Sequence, residues 1–171
     1  MANASLAIRF ELNGTAREVS VPPNRRLIDL LREDLGLTGT KEGCSVGVCG
    51  ACSVLLDGQV MSACLVPAVF VDGSRITTIE GLAPDEEHLS PLQDAFIRHG
   101  GFQCGICTPG QIIAATALLS ETPHPTVDQI KSWMMGNLCR CTGYYKIIES
   151  IQAAASTDGA PVVREAVGVR S

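Results

Sequence analysis

The sequence predicts an α+β fold in which a β-rich half is followed by a helical half. Up to about residue 80, short runs of alternating apolar and polar residues are separated by turn signals. Beyond that point, apolar residues recur at helical spacing behind residues that typically cap helices. We therefore expect a first domain over residues 1–80, a second over 81–155 and a tail over 156–171.

The first half opens with a predicted β-hairpin and a predicted helix. Residues 5–12 and 16–21 alternate in polarity around Asn13-Gly14-Thr15, which is a hairpin signal. The next element is expected to be a helix with Asn24 as its N-cap and Gly36 at its exit. The apolar residues at helical spacing within it are Leu27, Leu30, Leu31 and Leu35.

A loop and a second hairpin follow this helix. Residues 37–51 are rich in glycine and cysteine and predict a loop. Residues 52–66 hold Asp57-Gly58 between two apolar runs, which predicts a hairpin, and residues 75–79 predict a further strand. The first half is thus expected to be a small β-rich domain with one helix.

The second half carries start signals for four helices. Ser90-Pro91 and Thr108-Pro109 each read as an N-cap followed by proline at the first helical position. Thr126 precedes a third periodic run, and residues 144–155 form a fourth. Because residues 110–121 are apolar on nearly all faces, we expect that helix at the centre. Four helices in about 70 residues predict a bundle.

The composition restricts the possible function classes. A net charge of -5 and an isoelectric point near 5.1 argue against a nucleic-acid surface. The first residues do not resemble a signal peptide, and no stretch approaches the roughly 18 consecutive apolar residues of a membrane span. The cytoplasm is therefore the expected location. The mean hydropathy of +0.21 indicates that a partner covers some apolar surface.

Eight cysteines in a chain without an export signal indicate metal binding rather than disulfides. The first four are Cys44, Cys49, Cys52 and Cys64. Their C-x4-C-x2-C opening is the plant-type [2Fe-2S] spacing, and three glycines would let the backbone approach a cluster closely. These glycines are Gly43, Gly47 and Gly50. Cys64 is expected on the second strand of the following hairpin. A zinc site or unliganded core cysteines are the alternatives.

The other four cysteines form two pairs, Cys104 with Cys107 and Cys139 with Cys141. Each pair is predicted to lie at a helix N-terminus, where free N–H groups favour anions. Two such N-termini facing a common centre would hold a negatively charged cluster. A zinc site with four thiolates is the main alternative, whereas a redox disulfide would explain only one pair. The three histidines lie outside these motifs, which argues against a Rieske-type site.

The sequence contains no motif for binding and transforming a substrate. Neither a phosphate-binding glycine loop nor a Ser/His/Asp arrangement is present. The chemistry that the cysteine motifs predict is one-electron transfer through two clusters.

Four motifs together resemble a known family. KEGCSVGVCGACSVLLDG, SAC, QCGICTPG and GNLCRCTGY are similar, in sequence and in order, to signatures of the iron–sulfur subunit of molybdenum hydroxylases. That group includes xanthine dehydrogenase, aldehyde oxidoreductase and carbon monoxide dehydrogenase. The resemblance spans residues 5 to 155. Ile106 stands where many members carry tyrosine, at a position that is not a ligand.

The resemblance implies a particular fold and particular ligands. The fold would be a plant-type ferredoxin-like β-grasp domain followed by a four-helix-bundle [2Fe-2S] domain. The first [2Fe-2S] cluster would be held by Cys44, Cys49, Cys52 and Cys64. The second would be held by Cys104, Cys107, Cys139 and Cys141. Gln103 and Cys139 are further implied to lie near the pterin of a molybdenum cofactor.

The resemblance also implies partners. In the family a large subunit holds the molybdopterin cofactor and hydroxylates an aldehyde, N-heterocycle or similar substrate, and a medium subunit or fused domain commonly holds FAD. This chain would be the electron-transfer subunit of such an oxidoreductase, without a substrate site of its own. It would pass electrons singly to FAD or another acceptor. The implied assembly is a dimer of heterotrimers.

A free-standing two-cluster ferredoxin is the alternative function. Such carriers usually rely on strongly charged surfaces for transient docking, whereas this chain has a net charge of only -5 and a high apolar content. The subunit of a larger complex is therefore the preferred interpretation. A zinc-stabilised interaction module is a third possibility.

Overall fold

The chain forms one mixed sheet and a set of helices. The computed structural model describes residues 5–83, 85 and 87–156. In this part the strands are β1 Leu6–Leu12, β2 Thr15–Val21, β3 Ser53–Leu56, β4 Gln59–Ser62 and β5 Arg75–Thr77. The α-helices are α1 Leu27–Asp29, α2 Pro91–His99, α3 Thr108–Glu121, α4 Val127–Trp133 and α5 Tyr145–Ala155. The predicted order, a β-rich half with one helix followed by a helical half, is confirmed.

The five strands described form a single sheet with the order β2-β1-β5-β3-β4. Strands β1 and β2 are antiparallel, as are β3 and β4, so both predicted hairpins are confirmed. Strand β5 completes the sheet by pairing parallel to β1 and antiparallel to β3. Asn13-Gly14 and Asp57-Gly58 all have positive φ, which matches the tight turn that suits the twist of a two-residue hairpin.

The helix after the first hairpin differs from the prediction. Its N-cap is Arg26 and not Asn24, and after α1 the chain continues as a π-helix over Leu30–Asp34. Arg26 forms a β-bridge with Pro67, which keeps the chain extended up to that residue and delays the helix. Gly36, with φ of 72°, ends the segment as predicted.

The predicted starts of α2 and α4 are confirmed. Ser90 and Thr126 each accept a hydrogen bond from a glutamine N–H three residues later, and that glutamine side chain accepts one in return. These are capping boxes. Helix α3 begins one residue earlier than predicted, because Cys107 and not Thr108 is its N-cap.

The Ser90 cap gives a prediction for stability. Changing Ser90→Ala should lower the free energy of unfolding by about 1 kcal/mol, since the Gln93 N–H loses its acceptor. Urea denaturation of the cluster-loaded chain measures it. Ser120→Ala is the matched control, because this exposed hydroxyl only donates to the Thr116 carbonyl one turn back. Equal losses in both variants would contradict the capping role.

Two hydrophobic cores lie at opposite ends of the described chain. The N-terminal core draws its buried residues from positions 8–76 and the C-terminal core from positions 92–155. A small cluster of Leu55, Ile113 and Ala117 lies between them. It joins β3 to α3.

Helix α3 is central, as predicted. Every residue from position 110 to 119 is buried. One side of the helix contacts β3 and β4, and the others contact α2, α4 and α5. A helix surrounded in this way has no side that faces solvent, which explains why its apolar residues occur on all sides.

Within the described residues, no helix combines the length and apolar character that crossing a membrane requires. The predicted tail falls outside the description from residue 157 onward.

Candidate metal centres

The first four cysteines meet at the edge of the N-terminal core. Cys44, Cys49 and Cys52 come from the loop before β3, and the Cys52 and Cys64 side chains are both buried. Cys64 lies two residues beyond the end of β4 at Ser62, so its predicted place on that strand is wrong. The ladder ends there because β3, the partner strand, begins at Ser53 opposite Ser62.

The loop presents backbone N–H groups to a thiol. The N–H groups of Val46 and Val48 lie 3.5 and 3.4 Å from the Cys44 Sγ. Hydrogen bonds from the N–H groups of Val46, Cys49 and Val48 lower the pKa of the Cys44 thiol to about 6. The loop thus stabilises negative charge on sulfur, as a thiolate ligand requires.

Only one of the three loop glycines faces a thiol. A Cβ on Gly43 would lie 2.9 Å from the Cys49 Sγ. A Cβ on Gly47 would overlap the Leu65 side chain, and one on Gly50 would overlap the Gly136 carbonyl. Of the three glycines predicted to let the backbone approach a cluster, only Gly43 therefore lies against a cysteine thiol.

Charged residues that the sequence analysis did not select hold this loop. The Arg32 guanidinium donates to the carbonyls of Thr38 and Thr40 at 2.8 and 2.7 Å. Arg26 pairs with Glu42 at 3.0 Å, and Glu42 accepts a hydrogen bond from Ser45. The sequence did contain a signal for these contacts, because the two arginines lie in or just before a predicted helix that precedes the cysteine loop.

The first four thiols form two neighbouring pairs. The Cys44 thiol lies beside that of Cys49, and the Cys52 thiol lies beside that of Cys64. Burial raises the pKa of the Cys52 thiol to about 11. One pair is thus in the core and the other nearer the surface.

The other four cysteines also meet, and they too form two pairs. The Sγ atoms of Cys104 and Cys141 lie 3.6 Å apart, and the Cys107 side chain contacts that of Cys139. Each pair therefore joins one cysteine from before α3 to one from before α5. The sequence motifs group the same four residues but pair them along the chain instead.

The prediction that each cysteine pair lies at a helix N-terminus holds only for Cys104 and Cys107. Cys107 is the N-cap of α3, but α5 begins only at Tyr145. Gly143 and Tyr144 both have positive φ, which inserts a turn between Cys141 and the helix. Cys139 and Cys141 thus lie in a loop ahead of the helix, where the prediction placed them next to it.

Thr142 and Tyr144 support Cys139. Burial acts to raise the pKa of Cys139, but hydrogen bonding to the hydroxyl and the N–H of Thr142, 3.1 and 3.5 Å from its Sγ, together with the Cys141 N–H and the Cys107 thiol, lowers it overall. The Cys139 N–H donates to the Tyr144 hydroxyl at 2.9 Å. Neither residue was predicted as functional, although both lie within the GNLCRCTGY motif.

The remaining thiols of this group differ in environment. A hydrogen bond from the Ile106 N–H lowers the pKa of Cys104, whereas burial raises that of Cys107 to about 12. The exposed Gln103 side chain donates to the Cys141 carbonyl at 3.2 Å. The group therefore reaches from the C-terminal core to the surface.

The pairing of the thiols in each cysteine group suits a cluster of two irons. A [2Fe-2S] cluster takes four protein ligands, two on each iron. Each group here offers two pairs of adjacent thiols. Within the described ranges, no three or more His, Cys, Asp or Glu side chains stand close enough together to hold a single metal ion. The three histidines make their contacts elsewhere: His88 with Asp85, His99 with Glu149 and His124 with the Ala155 carbonyl.

Comparison with known proteins identifies two domain families. Residues 10–83 match the 2Fe-2S iron-sulfur cluster binding domain, and residues 78–152 match the [2Fe-2S] binding domain. The nicotinate dehydrogenase small FeS subunit of Eubacterium barkeri is 50% identical over 149 residues, which cover 87% of this chain and 94% of that protein.

Solved structures agree with the sequence matches. Quinoline 2-oxidoreductase from Pseudomonas putida 86 superposes with a TM-score of 0.86 and 48% identity, covering 88% of this chain and 94% of that one. The aldehyde oxidoreductase from Desulfovibrio gigas gives a TM-score of 0.84 and 44% identity, covering 88% of this chain and 17% of that one. With both cysteine groups inside matched domains, the chain belongs to the iron–sulfur small subunits of the molybdenum hydroxylase family.

Proposed function

We propose that the eight cysteines are the ligands of two [2Fe-2S] clusters. In the first, Cys44 and Cys49 would bind one iron, and Cys52 and Cys64 the other. In the second, the pairs would be Cys104 with Cys141 and Cys107 with Cys139. The adjacent thiols in each pair support this assignment. When bound, such clusters supply reversible one-electron transfer.

The function is electron transfer within a molybdenum hydroxylase. The single observation that carries it is the presence of two four-thiol groups in one small chain. The relatives are named for nicotinate, quinoline and aldehyde oxidation. We propose that the substrate, bound by a partner subunit, is likewise an aldehyde or an N-heterocycle. Electrons would pass from the partner's molybdopterin to FAD or another acceptor.

The second cysteine group is the proposed contact with the molybdenum subunit. Cys104, Cys141 and Gln103 are exposed, so a partner could approach these thiols directly. Large apolar side chains a few residues from the cysteines of this group along the chain are also exposed: Phe102, Ile106, Met135, Leu138 and Tyr145. Such a patch suits a protein interface. Gln103 and Cys139 are proposed to face the pterin.

The first cysteine group is the proposed contact with an FAD subunit. Val46, Val48 and Leu65 next to it expose about 60% of their surface or more. The two contacts together would give a heterotrimer, and we propose that two such heterotrimers associate. The eight thiols favour a reducing compartment, and we propose the cytoplasm.

The domain architecture is proposed on the same basis. The N-terminal core supports a plant-type ferredoxin-like β-grasp domain over residues 1–80. The C-terminal core, shared by α2 to α5, supports a four-helix bundle over residues 81–155. Residues 156–171 would be a tail.

Purification of the native complex tests the function. We expect a large molybdenum subunit to co-purify, with two clusters' worth of iron and acid-labile sulfide per copy of this chain. Metal analysis and identification of the co-purifying polypeptides measure this. Zinc in place of iron would overturn electron transfer. Both clusters in a chain without any partner would favour the free-standing ferredoxin instead.

A further inference from the structure

The two cysteine groups are joined by a direct backbone hydrogen bond. The N–H of Leu138 donates to the carbonyl of Cys49 at 2.9 Å. Leu138 immediately precedes Cys139. A continuous bonded route therefore runs from the Cys49 side chain, across this hydrogen bond and along the Leu138 backbone to the Cys139 side chain.

Asn137 anchors both sides of this connection. Its side-chain N–H group donates to the Gly50 carbonyl at 3.0 Å and lies 3.3 Å from the Ser53 hydroxyl oxygen. The Ser53 hydroxyl itself donates to the same Gly50 carbonyl at 2.8 Å. Asn137 is 5% exposed. A buried amide with several partners is costly to disturb, so it fixes the chain on either side of it.

Gln111 holds Asn137 from α3. Its side-chain N–H group donates to the Asn137 carbonyl at 2.8 Å, and the residue is fully buried. Its side-chain oxygen has no partner among the described residues. Burying an unpartnered oxygen costs free energy, and the hydrogen bond from the Gln111 side chain to Asn137 offsets part of that cost.

We propose that Asn137 is a positioning residue that fixes the loop carrying Cys49 against the loop carrying Cys139, with Gln111 as its support. The role goes beyond ligation, because neither side chain belongs to a cysteine group. Only the predicted change in the EPR splitting rests on the proposed cluster ligands. The hydrogen bond between Leu138 and Cys49 is a property of the chain alone.

The test uses the intact complex with Asn137→Ala. Amide hydrogen exchange at Leu138 should become about tenfold faster, the change expected from weakening one hydrogen bond. With both clusters reduced, the magnetic splitting that each imposes on the other in the EPR spectrum should decrease. Both cluster signals should persist, because every cysteine remains. If the complex without any substitution lacked one of the two cluster signals, that result would overturn the ligand assignment rather than the positioning role.

Two further variants keep the test decisive. Gln111→Met preserves side-chain volume and removes the unpartnered oxygen, so this variant should fold even if Asn137→Ala does not, and it should show the same two changes. Thr116→Val is the matched control, because this buried hydroxyl on the same helix donates only to the Ile112 carbonyl. Unchanged Leu138 exchange and splitting in the Asn137 and Gln111 variants, or equal changes in the control, would overturn the proposal.

Discussion

Replacing Cys104 with serine in the intact complex is expected to abolish one of two EPR signals and to stop electron delivery to the acceptor. Cys104 lies 3.6 Å from Cys141, sulfur to sulfur, and the two form the exposed pair of the second group. Serine keeps the shape of the side chain but lacks the thiolate that holds iron in such clusters. EPR of the reduced complex and steady-state turnover with an artificial acceptor measure the two effects.

The reciprocal variant is the control. Cys44→Ser should abolish the other signal and leave the first, because Cys44 belongs to the first group with Cys49. The pattern of losses therefore tests the division into two groups and does not depend on stability alone. Two intact signals in either variant, or loss of the same signal in both, would refute the assignment.

Placing a valine at position 110 is expected to destabilise the chain by about 3 kcal/mol or more, as overpacking at a rigid contact does. A Cβ on Gly110 would overlap the Gly50 carbonyl and lie 3.1 Å from the Ala51 Cα. These are backbone atoms, so they cannot move aside as a flexible side chain would. Urea denaturation measures the loss.

A second glycine provides the comparison for Gly110→Val. A Cβ on Gly136 meets nothing within 4 Å, although this residue is close to the same junction. Gly136→Ala should therefore change the free energy of unfolding by no more than about 0.5 kcal/mol. If the two variants were equally stable, the close approach of α3 to the Gly50 loop would not contribute to stability.

Turn and capping residues in the sequence predicted those elements that depend on neighbouring residues alone. The two hairpins follow from Asn13-Gly14 and Asp57-Gly58, and the starts of α2 and α4 follow from their capping residues. The delayed start of α1 could not be predicted from neighbouring residues. The β-bridge that keeps Arg26 extended is made with Pro67, which is distant in sequence.

The same distinction applies to the cysteines. Spacing predicted which four residues share a group, since three of the first four lie in one loop. It could not predict that Cys104 pairs with Cys141, because that depends on the turn at Gly143 and Tyr144. Nor could it find Asn137, whose partners at Gly50 and Ser53 come from the other half of the chain.

The burial of residues 110–119 in α3 limits which N-terminal and C-terminal halves of relatives can be combined in one chain. This helix begins at Cys107, belongs to the C-terminal core and presses against the backbone of the N-terminal loop at Gly50. A chimaera joined between the matched domain families would break this contact unless both sides came from compatible sequences. The two halves match different domain families yet share this contact, so a chimaera of two homologues should fold best when α3 and residues 49–55 come from the same parent.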